Sequence, residues 1–270
     1  MDISNTVKLN ILVVDDDVVN QRMMQVILNP PGHNVDFASN GLEALEAVKQ
    51  KRYDIVFMDL QMPIMDGVEA SRQIRGWETT EGYNTFIVAL TARYLPEKGQ
   101  ELFEAGIDNY IAKPFKLDQI YRMLSYCINA SLQSVPVKSE AQSEPTRSFE
   151  ILNSRAGIQI LGGDVSIYAA LLADFIQELP ERFAILQRCL QNDDFQGLYL
   201  GAHNLKGVSA NLGAMQLSEC AKRLESQSNA GYTGSLDALL EELKVCGRQL
   251  EKEGQVFLSS GGFVKDPNPR

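Results

Sequence analysis

The stretch Asp54-Ile-Val-Phe-Met-Asp59-Leu-Gln-Met-Pro-Ile-Met-Asp66-Gly67 decides the fold of the first half of the chain. Its apolar run, residues 55–58, reads as a strand buried on both faces, and it ends on an acid. Working outward, residues 9–14, 35–38, 86–90 and 107–111 form further β-rich runs. Helix-like stretches cover 18–28, 42–51, 68–77, 97–105 and 117–128. Five β–α repeats in this order predict an α/β, doubly wound, five-stranded parallel sheet with helices on both faces.

In such a sheet, ligands gather beyond the carboxyl ends of the strands. Asp15 and Asp16 follow the first run, Asp59 the third, Thr91 the fourth and Lys113 the fifth. Packed carboxylates repel, and a hard divalent ion relieves the repulsion with oxygen ligands. Asp15, Asp16 and Asp59 are therefore candidate ligands for Mg2+. The metal and Lys113 would neutralise an incoming phosphoryl group, the Thr91 hydroxyl would bond one of its oxygens, and Asp59 would attack phosphorus to give an acyl phosphate. Singly, each residue has a bland reading as a turn acid, a surface lysine or a strand-end hydroxyl. Their placement at the ends of four different strands carries the functional one.

Ile11-Leu-Val-Val-Asp-Asp-Asp17, Met58-Asp-Leu-Gln-Met-Pro-Ile-Met-Asp-Gly67, Ala89-Leu-Thr-Ala92 and Lys113-Pro114 together resemble the receiver domain of response regulators, over residues 7–130. The resemblance implies a flavodoxin-like fold with Asp59 as phosphoacceptor, Asp15 and Asp16 at the magnesium, Thr91 as switch hydroxyl and Lys113 paired with the phosphate. It also implies that Tyr110 is the switch aromatic, although a plain packing role is open to it, and that the Lys113–Pro114 bond is cis. Asp17 falls outside the metal shell, and Asp66 shapes the turn before Gly67. Asn20 and Gln61 match receivers of hybrid sensor kinases and multistep relays, and the small Ala92 leaves the site open to a partner's histidine.

Residues 131–148 are serine-rich, contain two prolines and lack aromatics, which predicts a flexible linker spanning roughly 20–25 Å end to end. Beyond it the periodicity is helical throughout: 165–178, 181–190, 195–212, 214–227 and 235–252, with breaks at Pro180 and Gly231–Gly234. This predicts an all-α antiparallel bundle over 149–254 and a disordered tail over 255–270. With Leu198 as seam centre, Ala202, Leu205, Ser209 and Leu212 lie within roughly 40° of it, and His203 about 140° away. The expectation is an exposed imidazole, with Gly207 outward beside it, Ala210 nearby, and Lys206 in reach of phosphate oxygens. Ala202-His-Asn-Leu-Lys-Gly-Val-Ser-Ala-Asn-Leu-Gly-Ala214 is similar to the active helix of histidine-containing phosphotransfer (HPt) domains. By that likeness His203 carries the phosphoryl group, Lys206 and Gly207 serve it, and either Glu225 or Gln227 supplies a polar helper. His33 reads as a loop histidine.

The formal charge of −10 argues against nucleic acid or anionic membrane as partner. No run is long enough to span a bilayer, no signal segment opens the chain, and the polar lead after Met1 favours a complete protein. Four dispersed cysteines read as free thiols in a reducing cytoplasm. The expectation is a cytoplasmic two-component phosphorelay protein without a kinase catalytic domain. Its partners would be a sensor histidine kinase and other receiver or HPt domains. A magnesium-dependent phosphatase is the rival, and Gln61 stands where such enzymes place a second acid. A scaffold with degenerate sites is a third reading, weakened because no key acceptor is missing.

Overall fold

The computed structural model describes residues 8–29, 32–91, 99–130, 150–229 and 236–261. The expected linker, Ala92 and the last nine residues of the chain lie outside the described residues. The chain divides into two compact units, Met1–Pro145 and Thr146–Arg270.

The first unit contains β1 (Asn10–Val14), α1 (Val18–Leu28), β2 (Asn34–Ala38), α2 (Gly41–Gln50), β3 (Ile55–Asp59), α3 (Gly67–Glu81), β4 (Phe86–Thr91), α4 (Gly99–Glu104), β5 (Asn109–Ala112) and α5 (Leu117–Ala130). The strands form one parallel sheet in the order β2-β1-β3-β4-β5. Order reverses at β1, so the crevice beyond the carboxyl ends of β1 and β3 is the ligand position of this topology. Strand side chains alternate between two buried faces. Leu12, Val14, Val56, Met58, Ile87 and Ala89 pack with Ala44, Leu45, Val48, Ala70, Ile74 and Leu102 of α2, α3 and α4. Ile11, Val13, Ile55, Phe57, Val88 and Leu90, which alternate with them, are fully buried as well. On α1 and α5, the Tyr121 hydroxyl donates to the Ile27 carbonyl at 3.2 Å.

β5 begins two residues later than periodicity placed it. Gly106, at φ 85°, ends α4 in a left-handed turn, and Ile107 N–H bonds back to the Leu102 carbonyl at 3.0 Å. Ile107 is thus the apolar closing residue of a helix cap rather than a strand residue. α3 runs on past Trp77 to Gly82, whose φ of 71° makes the stop.

The second unit contains α6 (Ser154–Ile160), α7 (Val165–Gln191), α8 (Phe195–Asn211), α9 (Met215–Asn229) and α10 (Leu236–Ser259). The last four pack in a closed ring, α7 on α8, α8 on α9, α9 on α10 and α10 on α7. Three-residue connections after α7 and α8 turn the chain back on itself. α6 was not foreseen. It seats Gly157 against the ring of Tyr168, whose hydroxyl donates to the Leu212 carbonyl at 2.9 Å.

Pro180 does not break the helix as expected. It lies inside α7. A proline there forfeits one backbone bond, about 3 kcal/mol in isolation. Phe175 and Leu179 before it and Leu186 after it are all buried, and burial of that continuous stripe at roughly 1.5–3 kcal/mol per side chain outweighs the loss. α10 continues to Ser259, past the expected start of the tail, because Phe257 is buried edge-on against Tyr168.

Candidate functional site

Two constellations stand out, one in each unit. In the first, Asp15 leaves β1 and turns its carboxylate back into the sheet rim. Its Oδ1 accepts from Asp17 N–H at 2.9 Å and from the Asn20 amide at 3.1 Å. Asp17 caps α1, accepting from Val19 and Asn20 N–H at 2.8 and 3.3 Å, so it shapes the loop and orients Asn20. Asp59 is the last residue of β3, and its Oδ1 accepts from Gln61 N–H at 3.2 Å. Thr91 ends β4 and is buried, and its carbonyl accepts from Lys113 N–H at 2.6 Å. Asp66 caps α3 through Glu69 N–H, and Gly67 lies so close that a Cβ would collide with the Asp59 carbonyl. The Lys113–Pro114 peptide is cis.

Lys113 reaches over the rim. Its ammonium donates to Asp15 Oδ2 at 2.8 Å and to Asp59 Oδ2 at 2.5 Å, with all three side chains 2–3% exposed. Ligand oxygens of Asp15, Asp16 and Asp59 lie within 4.8 Å of one another. Three clustered carboxylates exceed the one ammonium that bonds two of them, and all their donors are hard oxygens. That donor set suits a hard divalent ion. The electrostatics agree. Burial, with the charge of Asp59 adding, pushes the Asp15 carboxyl up to about 7 against the pull of Lys113. Burial alone would lower Lys113, but Asp15 and Asp59 hold it above its ordinary range. Tyr110 is half-buried on β5 and packs against the α2–α4 core. His33 sits in the turn before β2, where its Nδ1 accepts from Leu9 N–H at 3.3 Å.

In the second unit the geometry corrects the expectation for His203. The ring is not exposed: the residue is 4% exposed, and Gly207 is buried too. The phase angle was sound, but its zero point assumed one covered face. α8 packs against both α7 and α9, and Ala202, His203, Leu205, Gly207, Val208 and Ser209 are all buried. The covering is polar at the critical point. Glu225 of α9 places Oε1 at 2.6 Å from His203 Nδ1, and its two oxygens lie 2.6 and 2.5 Å from Lys206 Nζ. Lys206 Nζ lies farther from Nδ1, at 3.5 Å. A carboxylate oxygen accepts, so the short contact makes Nδ1 the donating nitrogen of the ring. Burial works against the Glu225 charge, but His203 and Lys206 hold its carboxyl below the ordinary range. Glu225, one of the two helper candidates, touches the histidine. Ser218 ties α9 to α8 by donating to the Lys206 carbonyl at 3.0 Å.

A signal for Glu225 was present. Ala221, Leu224 and Ser228 form the buried stripe of α9, and an acid adjoining such a stripe faces the neighbouring helix. The Asp17–Asn20–Asp15 chain of bonds had no such periodic trace, because it depends on how the loop after β1 folds.

The chain thus carries a carboxylate rim on a parallel sheet, followed by a bundle with a carboxylate-bonded histidine. Residues 11–125 match the response regulator receiver domain, and residues 170–252 match the Hpt domain. The chain is 29% identical over 251 residues to the sensor protein GacS of Pseudomonas syringae pv. syringae, covering 92% of this chain and 27% of that protein. It is 27% identical over 237 residues to the aerobic respiration control sensor protein ArcB of Escherichia coli, covering 87% and 30%. The chain therefore spans less than a third of the length of these relatives. Among solved structures it is similar to the receiver domain of the sensor histidine kinase PA1611 from Pseudomonas aeruginosa, which has a magnesium ion coordinated in its active site cleft. That likeness has 34% identity over 46% of this chain and 99% of the other, with a TM-score of 0.42. No single described helix is long and apolar enough to cross a membrane. α6 and α7 pass that test only as a pair bent by 114°.

Proposed function

We propose that Asp59 and His203 are the two phosphoryl acceptors of this relay protein. The single observation that carries the reading is that each acceptor sits in hydrogen-bond reach of a carboxylate–lysine pair: Lys113 with Asp15 at Asp59, and Glu225 with Lys206 at His203. At the first site an Asp59 oxygen attacks phosphorus, the donor's imidazole leaves, and the product is an acyl phosphate. Lys113 is already at the attacking carboxylate and becomes the cation for the new phosphate oxygens. Asp15, Asp16 and Asp59 would hold Mg2+, which supplies charge neutralisation when bound. Thr91 bonds a phosphate oxygen, and Tyr110 on the adjacent strand end reads out the change as a switch. At the second site Nε2 of His203 is the nucleophile, Glu225 fixes the ring and stabilises the positive charge it acquires, and Lys206 receives the phosphate oxygens.

The working division is a receiver over 7–130, a linker over 131–148 and a phosphotransfer bundle from 149 to the end of α10 at Ser259. Its partners are a sensor histidine kinase and other receiver or HPt domains, and nucleic acid and membrane insertion play no part. The protein accepts and passes phosphate and does not turn over small substrates. Four free cysteines support a reducing, cytoplasmic setting.

Phosphate labelling with a sensor kinase tests the reading. The chain should take label in two chemically distinct forms, an alkali-labile acyl phosphate and an acid-labile phosphohistidine. Asp59→Asn should abolish the first and His203→Gln the second. Label retained by the double variant would overturn the assignment.

A further inference from the structure

Cys220 of α9 and Cys246 of α10 face each other inside the bundle, with their sulfurs 2.9 Å apart. Both are free thiols and both are buried, at 7% and 9% exposure. A disulfide needs its sulfurs about 2.05 Å apart, so less than about 1 Å of approach separates this pair from a bond. The other two cysteines, Cys127 and Cys189, lie on α5 and α7, and Cys127 has a different partner, donating to the Asp54 carbonyl at 3.3 Å. We propose that Cys220 and Cys246 form a dithiol–disulfide redox site that a peroxide closes, cross-linking α9 to α10.

The roles of the two sulfurs follow from their surroundings. Glu242 Oε1 lies 3.9 Å from Cys220 Sγ, an acceptor that favours the protonated thiol there. The hydrogen bond with Cys246, then burial and nearby acid, push Cys220 upward. Glu242 favours the protonated thiol at Cys220, so Cys220 is assigned as the resolving sulfur and Cys246 as the attacking one. Cys246 thiolate attacks one peroxide oxygen, the O–O bond breaks, and hydroxide leaves and takes a proton to become water. Cys246 is then a sulfenic acid. Cys220 loses its proton and attacks Cys246 Sγ. The S–O bond breaks, the second water leaves, and the S–S bond remains. Two thiols are oxidised by two electrons, and one peroxide is reduced to two waters.

The location gives the cross-link a consequence. Cys220 and Glu225 share α9, and Glu225 is the residue that holds His203 and Lys206. The loop that the bond closes runs over 26 positions, so the disulfide restricts the unfolded chain and pins the helix that orients the histidine. The site stands on the two sulfurs alone and does not depend on the phosphorelay assignment.

The test uses the full chain. It is treated with hydrogen peroxide under native conditions, the remaining thiols are alkylated, and intact mass and peptide maps are read. The expected result is a loss of two hydrogens and alkylation of Cys127 and Cys189 alone. A linked Cys220–Cys246 peptide should appear, the thermal transition of the bundle should move upward, and dithiothreitol should reverse all of it. Cys220→Ala should leave Cys246 trapped as a dimedone-reactive sulfenic acid, and the wild-type map decides the matter if that variant does not fold. Four alkylated cysteines after peroxide, a linked pair containing Cys127 or Cys189, or linkage only in denaturant would overturn the proposal.

Discussion

Replacing Glu225 by Gln keeps the shape of the His203 cluster and removes one charge. Lys206 Nζ bonds both Glu225 oxygens, and the two side chains are 14% and 12% exposed. A solvent-exposed pair contributes at most about 1 kcal/mol, whereas breaking a fully buried one costs roughly 3–5 kcal/mol. Burial of this degree places the loss near 2 kcal/mol. With a urea slope of about 2 kcal/mol/M, the bundle midpoint should fall by about 1 M. Far-UV circular dichroism follows the helices, and fluorescence of the chain's single tryptophan, Trp77 on α3, serves as reference for the other unit. The pH dependence supplies the sharper check. The Glu225 carboxyl is held below its ordinary value of 4.5 by His203 and Lys206, against burial. Its stabilisation is thus fully present above 4.5 and is lost as pH falls through the lower, folded value. The gap between wild type and Glu225→Gln should close as the pH falls below 4.5. A gap that is absent at pH 7, or that persists unchanged in acid, would refute the account of Glu225 as the charge partner of Lys206.

Lys113→Met leaves the buried Asp15 and Asp59 facing each other, so the Trp77 unfolding transition at pH 8 should lose about 3 kcal/mol. Asp15 already sits near 7, above its ordinary 3.8. The stability it lends is fully present below 3.8 and disappears as pH rises through about 7, so acidification should shrink the Lys113→Met penalty. Gly67→Ala drives a methyl into the Asp59 carbonyl and to within 2.9 Å of Met58 Cγ; the same transition should lose roughly 1–3 kcal/mol. Tyr168→Phe removes the donor to the Leu212 carbonyl and should lower bundle stability by about 1–2 kcal/mol in the dichroism transition, with Trp77 fluorescence unmoved. In phosphate labelling, Lys113→Met should reduce acceptance at Asp59 more than Lys206→Met reduces it at His203.

The first unit was more legible than the second because its signals are local. Each of β1, β3 and β4 is a short apolar run, and the acids or hydroxyl at its end must lie on the rim whatever the packing, since strands in a parallel sheet share direction. Asp15, Asp59, Thr91 and Lys113 thus converge by topology alone. The bundle offers no such guarantee. A helical wheel fixes the angle between Leu198 and His203, but not how many neighbours surround the helix. α8 has two along its length, so the side opposite the seam is covered by α9. Pro180 misled for a related reason: its backbone cost is readable locally, whereas the buried stripe that carries α7 through it is set by helices distant in sequence. The sulfur contact between Cys220 and Cys246 needed the same tertiary information, since their separation of 26 residues matches no metal or disulfide spacing.

The two proposed acceptor sites differ in where the ammonium sits. At Asp59 the ammonium bonds the acceptor atom's own carboxylate, at 2.5 Å. At His203 the ammonium bonds the helper, Glu225, and stays 3.5 Å from the ring nitrogen that carries the proton. A phosphoryl group arriving on Asp59 adds negative charge directly against a cation already in place and buried, where charge interactions are strong. One arriving on His203 must draw Lys206 from a carboxylate that is itself charged at neutral pH. On the proposed assignment, the ammonium at Asp59 is in contact with the acceptor before transfer, whereas at His203 Lys206 would have to shift from Glu225.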